Sequence, residues 1–515
     1  MQLFESTLLL LAIAVVLMQV ARRLRVPYPS LLALVGGCVA LMPFAPHLNI
    51  DPRLALALFV APAVMDSAFD LPPRELLRMW LPLVSLAVVL VLLTAATVAW
   101  VGVRYGGLPL AAAIALGAIV APPDAAAASA VLREFNLPRR TLAVLQGESL
   151  LNDAVALLLF GLAVTVATSE GSVSSALLPR LLIAVPGGAA LGLVIGAAAG
   201  KVFPRLAGTL SSILTQFLVT YGAWILADTL GLSPIMCVVA LAASASRSGP
   251  VRTSPRDRVN SNAVWATMVF VLNVLAFLLM GLQARSILGQ LRAEELRHAL
   301  GFAGIVLAVV IVVRFVYVMS YGWVLRRFRH FYEARVIGGP VPKVAIGVLV
   351  SWCGMRGLVT LATSFALPAD FPGRQVIVLS AFIVVLGTLI LQGFTIRPLI
   401  AILRIQPDQS LDAEVAKTRR AMLDAALAEL AQESGQAADA VRAEFGAARQ
   451  ATVDRSRPVS DYDTLRRRAL QAQRLALIEW RREGRLLDDA YHLLEDELDR
   501  AELHSASLGS TWLEG

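Results

Sequence analysis

A cluster of four polar side chains stands at the head of an apolar run that continues to about residue 167. The cluster consists of Glu148, Ser149, Asn152 and Asp153. On a helix, Ser149 and Asp153 share one face, as do Glu148 and Asn152. The run is long enough to cross a bilayer, and ionisable groups inside a membrane span usually mark an ion path or a proton relay. We therefore predict that this helix carries ion chemistry.

Asp153 is the residue that we predict to bind the transported ion. A carboxylate that has lost its water retains a proton more readily. Na⁺ is a hard cation that needs several oxygen ligands, which Asp153, Ser149, Asp124 and the carbonyl groups around Pro123 could supply. A carboxylate that binds either H⁺ or Na⁺ acts as an exchanger if it opens to each side of the membrane in turn. The neutral Asn152 adds no second titrating charge, so we predict electroneutral exchange of one ion for one proton.

Two apolar spans are interrupted, one by Ala121-Pro-Pro-Asp124 and the other by Trp352-Cys-Gly-Met-Arg-Gly357. Prolines break the helical ladder, and the freed backbone groups must line a cavity or find other partners. Each break also presents helix ends of opposite partial charge. Asp124 could compensate a positive end, and Arg356 could compensate a negative end or pair with Glu148. A simple kink and a snorkelling arginine are the alternatives.

Three further polar residues lie inside predicted spans. Asp66 could draw cations into a cytoplasmic funnel, although a local cap or salt bridge explains it equally well. Asn273 and Arg314 are interpreted first as hydrogen-bonding residues between helices.

The composition is that of a polytopic membrane protein. The 515 residues are 57% hydrophobic and 16% charged, with a mean hydropathy of +0.70, whereas a soluble chain carries about a quarter charged residues. The net charge of +8 is attributed to arginines in membrane-flanking loops, so no nucleic acid partner is predicted. The cysteines are far apart and indicate neither disulfides nor a metal centre. No cofactor is predicted beside the transported ions.

Thirteen transmembrane spans are predicted from the apolar runs. Basic residues are roughly threefold more frequent in the loops after odd-numbered spans, which places those loops in the cytoplasm and the N-terminus outside. The predicted spans are 3–21, 28–45, 54–70, 81–103, 109–132, 142–168, 179–202, 213–229, 231–247, 262–283, 300–324, 343–366 and 374–397.

The chain is predicted to contain two domains, a transmembrane domain 1–404 and a cytoplasmic helical tail 405–515. The tail is rich in Ala, Glu, Arg and Leu with helical periodicity. A regulatory role, a dimer contact and an inert hairpin all remain open for it. The two interrupted spans are seven spans apart, so a repeat that pairs them would be inverted in the membrane, and such pairs indicate a site at the midplane.

Residues 5–400 resemble the monovalent cation:proton antiporters, in the sodium/proton exchanger branch. The resemblance is carried by Ala121-Pro-Pro-Asp124 and Gly147-Glu-Ser-Leu-Leu-Asn-Asp153, with support from Gly354-Met-Arg-Gly357, Phe270 to Leu282 and Leu386 to Gly393. It implies an all-α fold of 13 spans in inverted repeats, with two crossed broken helices at a midplane site. It also implies a homodimer in which a core domain moves like an elevator against a dimerisation domain.

Two positions depart from the family pattern. Many members have Thr-Asp-Pro where this chain has Pro123-Asp124-Ala125. The lost Thr side chain could remove an ion ligand and leave Ser149 and backbone carbonyls to compensate, which weakens any transfer of the family's cation preference. The acid of the third span is often Glu in the family and is Asp66 here.

We predict a secondary transporter in the bacterial inner membrane that exchanges Na⁺ for H⁺, with Li⁺ and K⁺ as further candidate substrates. A K⁺/H⁺ exchanger is the nearest alternative. A distant alternative is an intramembrane aspartyl protease with Asp124 and Asp153 as its dyad, although a Gly-x-Gly-Asp string is missing. A passive channel or a sensor coupled to the tail is a third alternative.

Overall fold

The structure is a computed structural model of the whole chain. It describes residues 2–24, 26–40, 42, 51–69, 79–124, 128, 132, 137–168, 177–206, 210–252, 255–289, 293–328, 343–405, 410–453, 461–483, 494–495 and 497–501. Every regular element within these ranges is a helix. The all-α polytopic fold is therefore confirmed.

A helix, or a pair of helices, coincides with each predicted span. Two spans are interrupted where the sequence predicts, although most of 125–132 lies outside the described residues. In chain order the helices are α1 (Gln2–Leu24), α2 (Tyr28–Ala40), α3 (52–69), α4 (Trp80–Tyr105), α5 (Leu110–Val120), α6 (Arg139–Thr168), α7 (Leu177–Leu206), α8 (Leu210–Thr229), α9 (Pro234–Arg252), α10 (Pro255–Leu282), α11 (Ala293–Arg327), α12 (Val344–Trp352), α13 (Leu358–Phe365) and α14 (Arg374–Leu403). A short helix, Ala284–Leu288, follows α10.

Six of the described helices are long and apolar enough to cross a membrane. They lie in α4, α6, α7, α10, α11 and α14. Three shorter apolar helices occur at Tyr28–Ala40, Leu110–Val120 and Pro234–Arg247. The count of 13 crossings and the inverted repeat remain predictions.

Small residues let the helix backbones approach closely, as is common between membrane helices. A Cβ on Gly117 of α5 would overlap the backbone of Ala95 in α4. Gly281 of α10 likewise faces the backbone of Ala33 and Gly37 in α2. The interrupted spans also pack against α6, α11 and α14.

The tail forms a second compact unit, residues 409–515. Its described helices are α15 (Ser410–Glu429), α16 (Gln436–Val453) and α17 (Asp461–Arg482). An exposed ion pair between Arg449 and Asp424 joins α16 to α15. The tail's role and its place in the cytoplasm remain predictions.

Candidate functional site

The two interrupted spans meet at their breaks. α5 ends at Val120 because Pro122 and Pro123 have no N–H to continue its ladder. The next available donor, the backbone N–H of Asp124, instead bonds the carbonyl of Met355 at 2.7 Å. A backbone hydrogen bond thus joins the two breaks. This contact agrees with the crossed arrangement implied by the family resemblance.

Arg356 caps the C-terminal end of α5. Its side chain is fully buried, and its Nε and Nη2 atoms donate to the carbonyls of Val120 at 3.0 Å and Ala121 at 3.2 Å. Its Nη1 atom donates to the Gly354 carbonyl. These carbonyls form the negative end of the helix. The sequence suggested two partners for Arg356, a negative helix end and Glu148. In the structure, Arg356 binds the helix end.

Asp124 lies against the N-terminal end of α13. Gly357 is the residue before that helix, and a Cβ there would overlap the Asp124 carboxylate. A carboxylate beside helix N–H groups is electrostatically favourable. Arg356 and Asp124 therefore each compensate a helix end that belongs to the other interrupted span.

The α6 cluster is buried beside the breaks. Asn152 is fully buried and donates from Nδ2 to the Pro123 carbonyl at 3.2 Å, and the side chain of Asp153 is 7% exposed. Asp124 is near enough to Asp153 for their charges to repel. Ser149 is half-buried one helical turn before Asp153. The structure thus brings Asn152, Asp153, Asp124 and Pro123 together, while Ser149 shares the helix face of Asp153.

Glu148 pairs with Arg314 of α11, and the suggested pair with Arg356 is wrong. The contact is bidentate, with Nη1 to Oε1 at 2.5 Å and Nη2 to Oε2 at 3.0 Å, and both side chains are 1% exposed. Arg314 also donates to the Val350 carbonyl of α12 at 3.1 Å. Its role exceeds that of an interhelical hydrogen-bonding residue, because it neutralises an acid of the site.

A small cavity of about 10 Å³ lies between the breaks and α6, which is about the room that one water molecule needs. Two acidic residues, one arginine and Pro123 of the first break, the segment 121–124, are among the residues that line it. Its lining residues are Pro123, Asp124, Ala128, Leu145, Glu148, Arg314 and Cys353.

Asp66 and Asn273 are partly buried and lie on α3 and α10. The segment of α3 that carries Asp66 packs mainly against α9, with a smaller contact to α6. The funnel role of Asp66 remains a prediction.

The model of the sodium/hydrogen exchanger family (transmembrane region) matches residues 8–402. The uncharacterized Na⁺/H⁺ exchanger Rv2287 of Mycobacterium tuberculosis strain H37Rv is 32% identical over 450 residues, which cover 84% of this chain and 81% of that protein. A sodium, potassium, lithium and rubidium/H⁺ antiporter of Bacillus pumilus is 28% identical over 428 residues, covering 78% of this chain and 62% of that protein.

The fold is similar to that of a solved membrane protein. The structure of the sodium proton antiporter MjNhaP1 from Methanocaldococcus jannaschii at pH 8 superposes with a TM-score of 0.57. The match covers 78% of this chain and 99% of that one, at 19% sequence identity.

Proposed function

The chain belongs to the sodium/hydrogen exchanger family, and from this premise we propose that it exchanges one Na⁺ for one H⁺ at Asp153 without net charge movement. A member of this family is a cation/proton antiporter and therefore a transporter rather than an enzyme. The protease alternative, with Asp124 and Asp153 as its dyad, has no support. Asp124 instead lies at the end of α13.

The charge balance of the site is the observation that carries the one-for-one stoichiometry. Three carboxylates, Asp124, Glu148 and Asp153, meet two guanidinium groups, Arg314 and Arg356, among the described residues of the site. One negative charge is left over. Either one proton or one monovalent cation on Asp153 brings the site to neutrality, so both loaded forms can move through the low-dielectric core at similar cost.

The oxygen ligands that we propose for Na⁺ are Asp153, Asp124, Ser149 and carbonyls of the first break. The Pro123 carbonyl already accepts from Asn152, and a carbonyl oxygen has a second lone pair available. Asn152 therefore orients the carbonyl without adding charge. The carboxylate of Asp124 would share the cation with Asp153, which relieves their mutual repulsion.

The wider transport cycle is proposed from the family resemblance and the loop charges. We propose alternating access of an elevator type in a homodimer, with the N-terminus outside and the tail in the cytoplasm of a bacterium. Because the Bacillus pumilus relative is named for four alkali cations, Li⁺ and K⁺ are proposed as further substrates. A K⁺/H⁺ exchanger remains the second candidate.

Asp153→Asn is expected to abolish exchange in sealed proteoliposomes that have an acidic interior. External Na⁺, Li⁺ or K⁺ should raise the internal pH in the wild type, and the order of initial rates ranks the ions. Asn cannot carry the proton or the charge, so no cation should collapse the gradient. Asp228→Asn, an exposed change on α8, should match the wild type.

Electroneutrality is tested in the same vesicles by setting the potential. A gradient of a permeant anion sets the potential in every run, because K⁺ is itself a candidate substrate. One net charge moved across about 100 mV is worth about 2.3 kcal/mol, so an electrogenic cycle should change rate strongly. Equal rates support the proposal. A strong dependence contradicts the charge balance, and normal exchange by Asp153→Asn contradicts the site.

Gly357→Ala is expected to lower the exchange rate by about tenfold or more, a loss of about 1.4 kcal/mol or more. The added Cβ would occupy the position of the Asp124 carboxylate, which must leave the end of α13. Gly161→Ala on α6 is the matched control because a Cβ there meets nothing within 4 Å. Initial rates at saturating cation decide the comparison, and equal rates for the two variants would show that the position of Asp124 is unimportant.

A further inference from the structure

A row of neutral polar side chains runs along α14, outside the site described above. Ser380, Thr388 and Gln392 are all completely buried. Because residues at multiples of four form a ridge on a helix, the three side chains follow one line, which is about 18 Å long at 1.5 Å per residue. Gln392 belongs to the string from Leu386 to Gly393 that supports the family resemblance, yet it has no part in the charge balance.

Thr388 connects this row to the break between α12 and α13. Its hydroxyl accepts a hydrogen bond from the backbone N–H of Arg356 at 3.0 Å and donates to the Val385 carbonyl at 3.1 Å. Gln392 follows one helical turn later on the same ridge. It therefore continues the ridge of α14 that meets this break at Thr388.

The residues on either side of Gln392 on α14 contact α2. The hydroxyl of Ser30 donates to the Leu389 carbonyl at 2.6 Å. A Cβ on Gly393 would overlap the Ser30 hydroxyl and lie 3.8 Å from the Sδ of Met355. Gln392 thus lies on the part of α14 that meets both α2 and the break between α12 and α13.

The Gln392 amide has no hydrogen-bond partner for either Nε2 or Oε1 among the residues that the structure describes. Burying an unpaired amide is costly, and an apolar side chain of similar length would avoid that cost. Buried polar groups of this kind commonly bind ordered water, which makes about three hydrogen bonds. We propose that the Gln392 amide is a binding site for ordered water that joins α2 to the break between α12 and α13.

The surroundings favour water over a cation. The α14 residues next to Gln392 on its ridge or in the chain contribute or contact the hydroxyls of Ser30 and Thr388, a carbonyl and the thioether of Met355. A hard cation needs several oxygen ligands, usually with a carboxylate among them. Water can exchange hydrogen bonds with the backbone of the break while helices move. On the proposed function, Gln392 therefore affects the maximal exchange rate rather than the cation KM.

Hydroxyl-radical labelling by X-ray pulses tests the site on the full-length protein in detergent. Radicals formed from bound water should oxidise Met355 although it is only 1% exposed. Met79, which is 6% exposed and packs in a separate cluster, is the internal reference. We expect Met355 to be labelled several-fold faster than Met79 in the wild type. In Gln392→Leu the two rates should become equal, and Gln392→Asn should keep the labelling because it keeps an amide.

The site is overturned if Met355 is labelled no faster than Met79 in the wild type, or if Gln392→Leu labels like the wild type. Gln392→Ile, which also removes the amide, is compared in the same way if Gln392→Leu does not fold. The labelling experiment does not depend on transport, so it tests the water site even if the protein shows no exchange. A several-fold fall in maximal rate for Gln392→Leu at unchanged KM supports the role in transport, and an unchanged maximal rate overturns that role.

Discussion

Arg314→Met is expected to lower the free energy of unfolding by about 3–5 kcal/mol, because it leaves the Glu148 carboxylate buried without its counter-charge. The two side chains form a bidentate pair that is almost completely shielded from solvent. The Val350 carbonyl also loses a donor. Thermal unfolding of the purified protein in detergent should show a large fall in Tm. Exchange should be lost as well, because the site would then carry two surplus negative charges.

The double variant Glu148→Met, Arg314→Met makes this prediction specific. It removes a negative and a positive charge together, so one surplus negative charge remains for Asp153 to exchange. Replacing a buried ion pair with apolar residues of similar volume is often neutral in stability. We therefore expect the double variant to recover most of the Tm and measurable exchange, which gives a large coupling energy in the cycle.

Arg449→Met in the tail is the matched control. It breaks the pair with Asp424, in which both side chains are 44% exposed. An exposed pair contributes about 0–1 kcal/mol, so its Tm should change little. If the double variant is no better than Arg314→Met, neutralisation of Glu148 is not the role of Arg314.

The breaks could be predicted from the sequence because their causes are local. Pro122 and Pro123 cannot donate to the ladder, whatever the rest of the chain does. The cluster on α6 could be predicted for a similar reason, since charges in an apolar run need partners. The helices follow the apolar runs closely, apart from ends that shift by a few residues.

The partner of Glu148 could not be predicted, because it depends on how three helices pack. Arg314 and Arg356 were both available inside the membrane, and sequence separation does not say which one reaches α6. Arg314 was nevertheless the only charged residue in the predicted span 300–324. That isolation was a signal that it neutralises a buried acid. The contact of Asp124 with the end of α13 could not be predicted for the same reason, since it joins residues from different interrupted spans.

Arg356→Met is expected to abolish exchange and to lower the free energy of unfolding by about 3–5 kcal/mol, as for a buried charge whose partners are left unpaired. The carbonyls of Val120, Ala121 and Gly354 would all lose a charged donor. The negative end of α5 would then lie uncompensated beside Asp153. Thermal unfolding in detergent and cation-driven exchange measure the two effects.

Arg356→Lys separates the charge from the geometry of the guanidinium. Lysine keeps the positive charge, and with it the charge balance, but its single ammonium cannot reproduce a planar fork that donates from three nitrogen atoms. We therefore expect exchange that remains electroneutral but is slowed by about tenfold, with a Tm between those of the wild type and Arg356→Met. Arg285→Met, which removes an exposed arginine that donates to the Met42 carbonyl at 3.3 Å, should change neither quantity. If lysine matches arginine in both assays, a point charge suffices at this position and the shape of the helix cap is irrelevant. If lysine fails as completely as methionine, the crossed breaks depend on hydrogen bonds to both spans, and the charge alone cannot hold them together.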